Sequence, residues 1–386
     1  MNHGYLLSSC LLFLLCWACH SGSKQSEPVL VLERVEEVTI PIRDCTYMNP
    51  ASARLLETDS GTFLFAYNHV EKKLHFIDFS DGRVVHKVPL AQDGPNSLAR
   101  AMGFTITGLD SIWATFIPPA LALINFNGEV VFREKIPNHK VEVMGIYTPE
   151  SRPIFKYGKE LFGPQPYFMD FQNMGKEEIF NHHLLFSMDL DSREVTWHEV
   201  FYAEDFWDAG KKISDFSWTM REGKIYIAPL HDHEIIIYDV VDREILGRKQ
   251  NKSKFIDRFQ YANELIWDRK EAIKTRLAHD LYGTFIYDGY RDLFYRITLP
   301  NIEIDEEATE DELRPQGRSR PIAGIMVLDS NLNLLGEYLF EENEIYPSGN
   351  FLVGTKGLYI SLNNENHPDF DEDHFRYQVV KFTTEE

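Results

Sequence analysis

Apolar and polar positions alternate along most of the chain in short runs, and one unit recurs. In its first clear copy, Leu74, Phe76 and Ile77 lead to Asp78, a polar turn through Ser80, Asp81 and Gly82 follows, and a second apolar strand leaves at Val84. The same arrangement returns around Asn125, Asp189, Asp239 and Asp329. Each copy reads as a β-hairpin. An Asp or Asn side chain can accept backbone N–H groups two residues on, and glycine supplies positive φ where the turn needs it. Five copies with the Asx at one place predict a repeat architecture.

The alternation predicts strands in sets of four. The first set is 53–58, 62–67, 74–79 and 84–90, and the second is 102–106, 111–116, 121–126 and 130–136. The third is 141–147, 153–157, 184–190 and 195–202, and the fourth is 216–220, 224–228, 234–240 and 244–248. The fifth is 283–287, 293–299, 322–329 and 334–340. A sixth set, 350–353, 357–362 and 375–382, is one strand short, while 29–42 alternates with no local partner. Giving that N-terminal strand to the last set leaves no open sheet edge. The expected fold is therefore all-β: a six-bladed β-propeller closed by its N-terminal strand, one domain over 29–386.

The five Asx residues lie 47, 64, 50 and 90 residues apart, and the last interval makes seven blades the alternative. Six blades hold if that interval carries insertions. Residues 259–277 read as an inserted helix, 301–321 as a long polar loop, and 160–182 as a third insertion rich in Phe, Gly and Gln. In a four-stranded blade, the connections from second to third strand and from blade to blade share one side. All three insertions fall in those classes, so the long loops are expected to crowd one rim, where binding sites are usually built.

Composition narrows the function classes. The 39 Lys and Arg against 60 Asp and Glu give a net charge of −21. Phosphate binding needs a basic surface, so nucleic acid is excluded as a partner, and direct adhesion to anionic head groups is disfavoured. The charge is read as keeping a monomer soluble. The 27 Phe and 18 Tyr suit sheets packed face to face. Of the four cysteines, Cys10, Cys16 and Cys19 lie near the N-terminus and only Cys45 falls in the folded part, so no internal disulfide is expected there.

Residues 1–18 have the apolar stretch and length of a signal peptide, and Leu15-Cys16-Trp17-Ala18-Cys19 resembles a bacterial lipoprotein processing site. Cys19 is the expected lipidation site, and 19–28 would be a polar tether holding the domain at a membrane surface without spanning it.

Several clusters could carry chemistry. His231-Asp232-His233 has metal-like spacing, yet the flanking strands make it a turn on the long-loop rim. Asp369, Asp371, Glu372 and Asp373 form a dense acidic run that could bind Ca²⁺ but lacks the EF-hand pattern. Gly94-Pro95-Asn96 is a tight turn between the first two blades; Asn96, followed by Arg100, would lie near the mouth of the central channel. Trp207, Trp218, Phe162, Tyr167 and Phe168 lie on or beside the rim loops, where they either stack on a ligand or pack the loops onto the ring. No Gly-x-Ser-x-Gly elbow, phosphate-binding glycine loop or His-Glu-x-x-His is present.

The Cys19 site, Gly94-Pro95-Asn96, the Ile77-Asp78 and Tyr238-Asp239 hairpins and the ending Pro368-Asp369-Phe370-Asp371-Glu372-Asp373 with Val379-Val380-Lys381-Phe382 carry a resemblance. The chain resembles the six-bladed propeller lipoproteins of Bacteroidota, an uncharacterised domain-of-unknown-function group of NHL/TolB-like propellers. The resemblance implies an envelope protein and brings no catalytic residues. Two functional readings follow. The first is a tethered binding or scaffold module, without cofactor, that holds a protein, peptide or glycan through its loop-rich face; Asn96, Arg100, Trp207, His231, His233 and Asp371 are its candidate contacts. The alternative is an enzyme of lactonase or lyase type with Ca²⁺ or another metal in the channel. It would need Asn96, His231 and Asp371 to converge, with His233 and Asp369 as further candidate ligands.

Overall fold

The structure, a computed structural model, describes residues 29–42, 51–108, 110–138, 144–165 and 173–385. The expected signal peptide and tether, Cys19, Cys45, Tyr167 and Phe168 lie outside the described residues. The strands form six four-stranded antiparallel sheets. The chain opens with β1 (Val29–Pro41). Blade one is β2 (Ala51–Thr58), β3 (Gly61–Asn68), β4 (Lys73–Asp78) and β5 (Val84–Pro89); blade two is β6 (Ala101–Gly108), β7 (Ser111–Phe116), β8 (Ala120–Ile124) and β9 (Val130–Lys135). Blade three is β10 (Phe155–Tyr157), β11 (Glu160–Pro164), β12 (Leu185–Asp189) and β13 (Val195–Trp197); blade four is β14 (Phe216–Arg221), β15 (Lys224–Pro229), β16 (Glu234–Asp239) and β17 (Glu244–Gln250). Blade five is β18 (Leu281–Asp288), β19 (Leu293–Leu299), β20 (Gly324–Leu328) and β21 (Leu334–Leu339). Blade six is β22 (Phe351–Gly354), β23 (Gly357–Ser361) and β24 (His374–Glu385), with β1 as its outer strand.

Closure is as expected: β1 pairs antiparallel with β24 from Val29 opposite Glu385 to Pro41 opposite His374. The first and last strands of the chain therefore protect each other's edges. Leu30, Leu32 and Phe382 continue onto Tyr295 and Ile297 of blade five.

The core is six wedges, one between each pair of adjacent blades. Because side chains alternate along a strand, one strand feeds two wedges. In β3, Leu64 packs toward blade six with Tyr359 and Tyr377, and Phe65 toward blade two with Phe104. In β7, Ile112 and Ala114 face blade one, whereas Trp113 faces Leu161 and Phe186 of blade three.

The five Asx turns are all formed. The carboxyl or amide oxygen of Asp78, Asn125, Asp189, Asp239 and Asp329 accepts the N–H two residues on, at 2.8–3.0 Å. Only two of these turns use glycine for the left-handed residue. Gly82 (φ 74°) and Gly128 (φ 81°) do, while Arg193, Arg243 and Leu332 adopt φ near 60° in the other three. At Gly82 a Cβ would lie 2.0 Å from the Pro41 carbonyl oxygen, and at Gly128 2.1 Å from that of Pro89. In both, the outer strand of the preceding blade ends against the turn.

Three expectations are corrected. The inserted helix is confined to α1 (Arg269–Leu277), where Asp268 caps the N–H of Glu271. The segment read as a loop contains a second helix, α2 (Glu310–Arg318), started by a reciprocal Thr309–Glu312 capping box. Blade three is shifted along the chain. Residues 144–154 are not a strand, and Glu160–Pro164, read as insertion, is the blade's second strand. Pro149 and Pro153 donate no N–H and so cannot join a ladder.

Candidate functional site

Each blade presents its first strand to the axis, so β2, β6, β10, β14, β18 and β22 surround a channel. The linker from blade two to blade three does not skirt this channel but crosses it. Ile146 donates its N–H to the Phe116 carbonyl of blade two at 3.0 Å. Thr148 and Thr115 share a buried hydroxyl contact at 2.8 Å. The Ser151 carbonyl accepts from Trp218 N at 3.0 Å and from Ser217 Oγ at 2.9 Å, both in blade four. Arg152, fully packed, donates to the Phe216 carbonyl at 2.8 Å and pairs with Asp215.

Glu150 stands at the centre of this crossing. Arg54, on β2 of blade one, donates from Nη2 to the Glu150 carbonyl at 2.7 Å and from Nη1 to the Ala53 carbonyl at 2.7 Å. The Glu150 carboxylate reaches the other way and accepts from Phe351 N, the first residue of β22 in blade six, at 3.3 Å. Gly349 gives it room: a Cβ there would lie 3.1 Å from Glu150 Oε1. Burial pushes the Glu150 carboxyl up to about 7, against the opposing pull of Arg54 and of the Phe351 and Asn350 N–H groups. Burial also lowers the Arg54 guanidinium.

The crossing divides the axis. Below it, a channel of about 220 Å³ is lined by Arg54, Glu150, Phe155, Trp218, Thr284 and Phe351 among others. At its far end Glu57 bridges blades, accepting from Tyr290 Oη at 2.7 Å and Thr355 Oγ1 at 3.0 Å. Above it, a cavity of about 440 Å³ opens on the long-loop rim, walled by Ser52, Tyr67, Met102, Tyr147, Glu150, Tyr346 and Asn350 among others.

The residues expected from sequence are placed elsewhere. Asn96 is exposed in its Gly94 turn, and Arg100 lines a separate groove of about 1070 Å³ with Arg133, Lys135 and Arg193. Trp207 is 1% exposed, its indole N–H donated to the Lys212 carbonyl at 2.9 Å, so its ring is loop packing. His231 and His233 sit above the fully buried Arg296, which donates to the Pro229 and Asp232 carbonyls at 2.7 Å and stacks 3.5 Å over Tyr282. Burial, with Arg320 and Lys212 nearby, pushes His231 down to about 3; burial and Arg296 push His233 down to about 4. Cations beneath and beside this turn oppose a bound metal. Asp369 and Asp371 lie in an exposed turn where Asp371 accepts from Asp373 N at 2.8 Å and meets His374 Nδ1 at 2.8 Å. Among the described residues no three His, Cys, Asp or Glu are gathered as a metal site. The channel offers Glu150 beside a guanidinium, which does not fit the oxygen-rich shell of Ca²⁺. The convergence of Asn96, His231 and Asp371 that a channel metal would need is not formed.

Sequence reasoning missed two features. The first is the Arg54–Glu150 pair. A lone Arg in an inner strand, and a Glu between Pro149 and Pro153, were its only signals. The second lies on the long-loop rim. Leu265, expected inside a helix, lies ahead of α1, which starts later and leaves Leu265 52%, Ile266 38% and Trp267 87% exposed, with Tyr261 nearby in the chain at 43%.

No helix among the described residues is long and apolar enough to cross a membrane. A search of curated proteins returns no match. Among solved structures, a member of the DUF4221 family from Bacteroides vulgatus ATCC 8482 is 21% identical with a TM-score of 0.79, over 93% of this chain and 100% of that one. A protein from Bacteroides fragilis NCTC 9343 is 12% identical with a TM-score of 0.55, over 92% of this chain and 96% of that one. Both share the fold. The profile of the domain of unknown function DUF4221 matches residues 30–339, from β1 through the last strand of blade five. The chain belongs to the DUF4221 family.

Proposed function

We propose that the protein is an envelope-tethered binding module that holds a protein, peptide or glycan on its long-loop face. The observation that carries this reading is the run Leu265-Ile266-Trp267. A tryptophan 87% exposed beside two exposed aliphatic residues is unfavourable in water and is the composition of a contact hot spot. The loop that carries the run is anchored at its base. Asp280, 1% exposed, accepts from Asp257 N, Arg258 N, Asn301 N and Asn301 Nδ2 at 2.6–2.7 Å, tying both long insertions of blade five together. Loops fixed in this way present a contact surface at little entropic cost on binding.

A photo-crosslinking residue placed at 267, and in a second strain at 191 in a short turn on the other side, tests this in intact cells. A discrete adduct from 267 and none from 191 is expected. Equal labelling at both positions, or none at 267, would overturn the reading.

A further inference from the structure

We propose that the cavity at the channel mouth binds its ligand through a primary ammonium group, seated between the Glu150 carboxylate and the rings of Tyr67, Tyr147 and Tyr346. The inference rests on the reading of this face as a binding face, but concerns a different place on it from Trp267.

The cavity's charge selects the ligand. Among the described residues that line it, Glu150 carries the only carboxylate and there is no Lys, Arg or His; the others are Ser, Asn, Tyr, Met and small apolar residues. Anions are thereby disfavoured and a cation is matched. The carboxylate is held by main-chain groups alone. The Phe351 N–H, at 3.3 Å, and the Asn350 N–H both point to it, and no cationic side chain among the described residues forms an ion pair with it. Arg54 faces the lower channel, and its terminal nitrogens donate to two carbonyls, one of them that of Glu150 itself. A ligand ammonium arriving from above supplies the charge-assisted hydrogen bonds that the protein leaves unmade.

The walls suit the same group. Tyr147 is 44% exposed, and the Tyr67 ring is braced by Phe104 at 4.9 Å. Tyrosine faces attract ammonium, and the methylenes that carry it pack on the same rings and on Met102. At about 440 Å³ the cavity admits one aminoalkyl group or one sugar ring, not a folded surface. A lysine side chain, a peptide N-terminus and an amino sugar all present this chemistry.

Binding should be linked to protons. The groups facing Glu150 are Arg54 from β2, Tyr67 from β3, Tyr147 from its own linker, Tyr346 from the linker into β22, and Tyr377 from β24. Burial first, then Glu150, raises Tyr346 to about 12 and Tyr377 further still. With the carboxyl titrating at about 7, an ammonium that stays charged should bind roughly tenfold tighter at pH 8 than at pH 6.

Isothermal titration of the purified protein tests this with Nα-acetyl-lysinamide, alanyl-alaninamide and glucosamine, each beside its N-acetylated counterpart, at pH 7. At least one free amine is expected to bind, its acetylated form at least about tenfold more weakly, with Glu150→Gln abolishing the difference. The lysine probe is repeated at pH 6 and pH 8. Equal affinity for free and acetylated probes, or no binding by any amine, overturns the proposal. Should Glu150→Gln fail to fold, Tyr147→Ala at its exposed position is expected to weaken the amine alone. Retained crosslinking at 267 with no amine binding would sink this inference and leave the binding face standing.

Discussion

Arg54 in blade one donates its Nη2 to the main-chain carbonyl of Glu150 at 2.7 Å, across 96 residues of sequence. The bond pins a linker inside the axis of the ring, and it fixes Glu150 by its backbone while leaving the carboxylate turned to blade six. The pair is thus a structural clamp on one side and a carboxylate held by main-chain N–H groups of blade six on the other.

Removing the clamp should be costly. Arg54→Met leaves the carbonyls of Ala53 and Glu150 without their donors, an expected loss of about 2 kcal/mol by urea unfolding. It also removes the charge that lowers the Glu150 carboxyl, so the Glu150 titration should move above about 7. An NMR titration of the carboxyl carbon reads this directly, and an unmoved midpoint would refute the coupling.

Glu150 should make stability depend on pH. Its folded pKa, about 7, lies above the ordinary value of 4.5, so the fold favours the protonated form. That stabilisation is complete below about pH 4.5 and is lost as pH rises through about 7, of the order of 3 kcal/mol. The expected outcome is that Glu150→Gln flattens this part of the stability profile and is the more stable protein at pH 8. A wild-type profile parallel to that of the variant between pH 4.5 and pH 8 would contradict it.

Ring closure should be sensitive at Gly336. A Cβ there would stand 2.4 Å from Leu30 Cβ, where β1 lies over blade five. Gly336→Ala should cost about 1–3 kcal/mol by forcing β1 outward. The cost should fall sharply in a Leu30→Gly background, since the two positions couple only through this contact. Additive losses in the double variant would count against it.

Asp280 should control the long-loop face. Burial raises its carboxyl, but the N–H groups of Arg258, Asp257 and Asn301 outweigh burial and bring it below the usual carboxylate range. Its contribution is therefore present above the ordinary pKa of 3.8 and lost as pH falls through the lower folded value. Asp280→Ala should cost about 3 kcal/mol and open residues 251–280 to trypsin. Protease resistance equal to wild type would show that the loops are held by other contacts.

The DUF4221 fold was legible in the chain to an unusual depth because its signals are local. Strand alternation has a period of two, and an Asx turn is completed within four residues, so Asp78, Asn125, Asp189, Asp239 and Asp329 each announce a hairpin whatever surrounds them. The unpaired strand at 29–42 announced closure by elimination. Even α2 is written locally, in Thr309 and Glu312, although the polar composition of the segment reads as a loop.

The candidate site was not legible, because nothing local marks the axis of a ring. Glu150 meets Arg54 from 96 residues away and Phe351 from 201, and only six blades closing in order bring the three together. The His231-Asp232-His233 turn has the spacing of a metal site in the sequence; Arg296, more than sixty residues downstream, places a cation beneath it. Trp267 lies just ahead of the Asp268 cap, outside α1, and only the folded ring decides that nothing covers its indole, which is 87% exposed. Sequence thus determined the blades, their turns and their closure, since these follow from short-range backbone geometry. Tertiary structure decided which charges face the channel and which aromatics face water, since these depend on groups that the chain brings together only once the ring has closed.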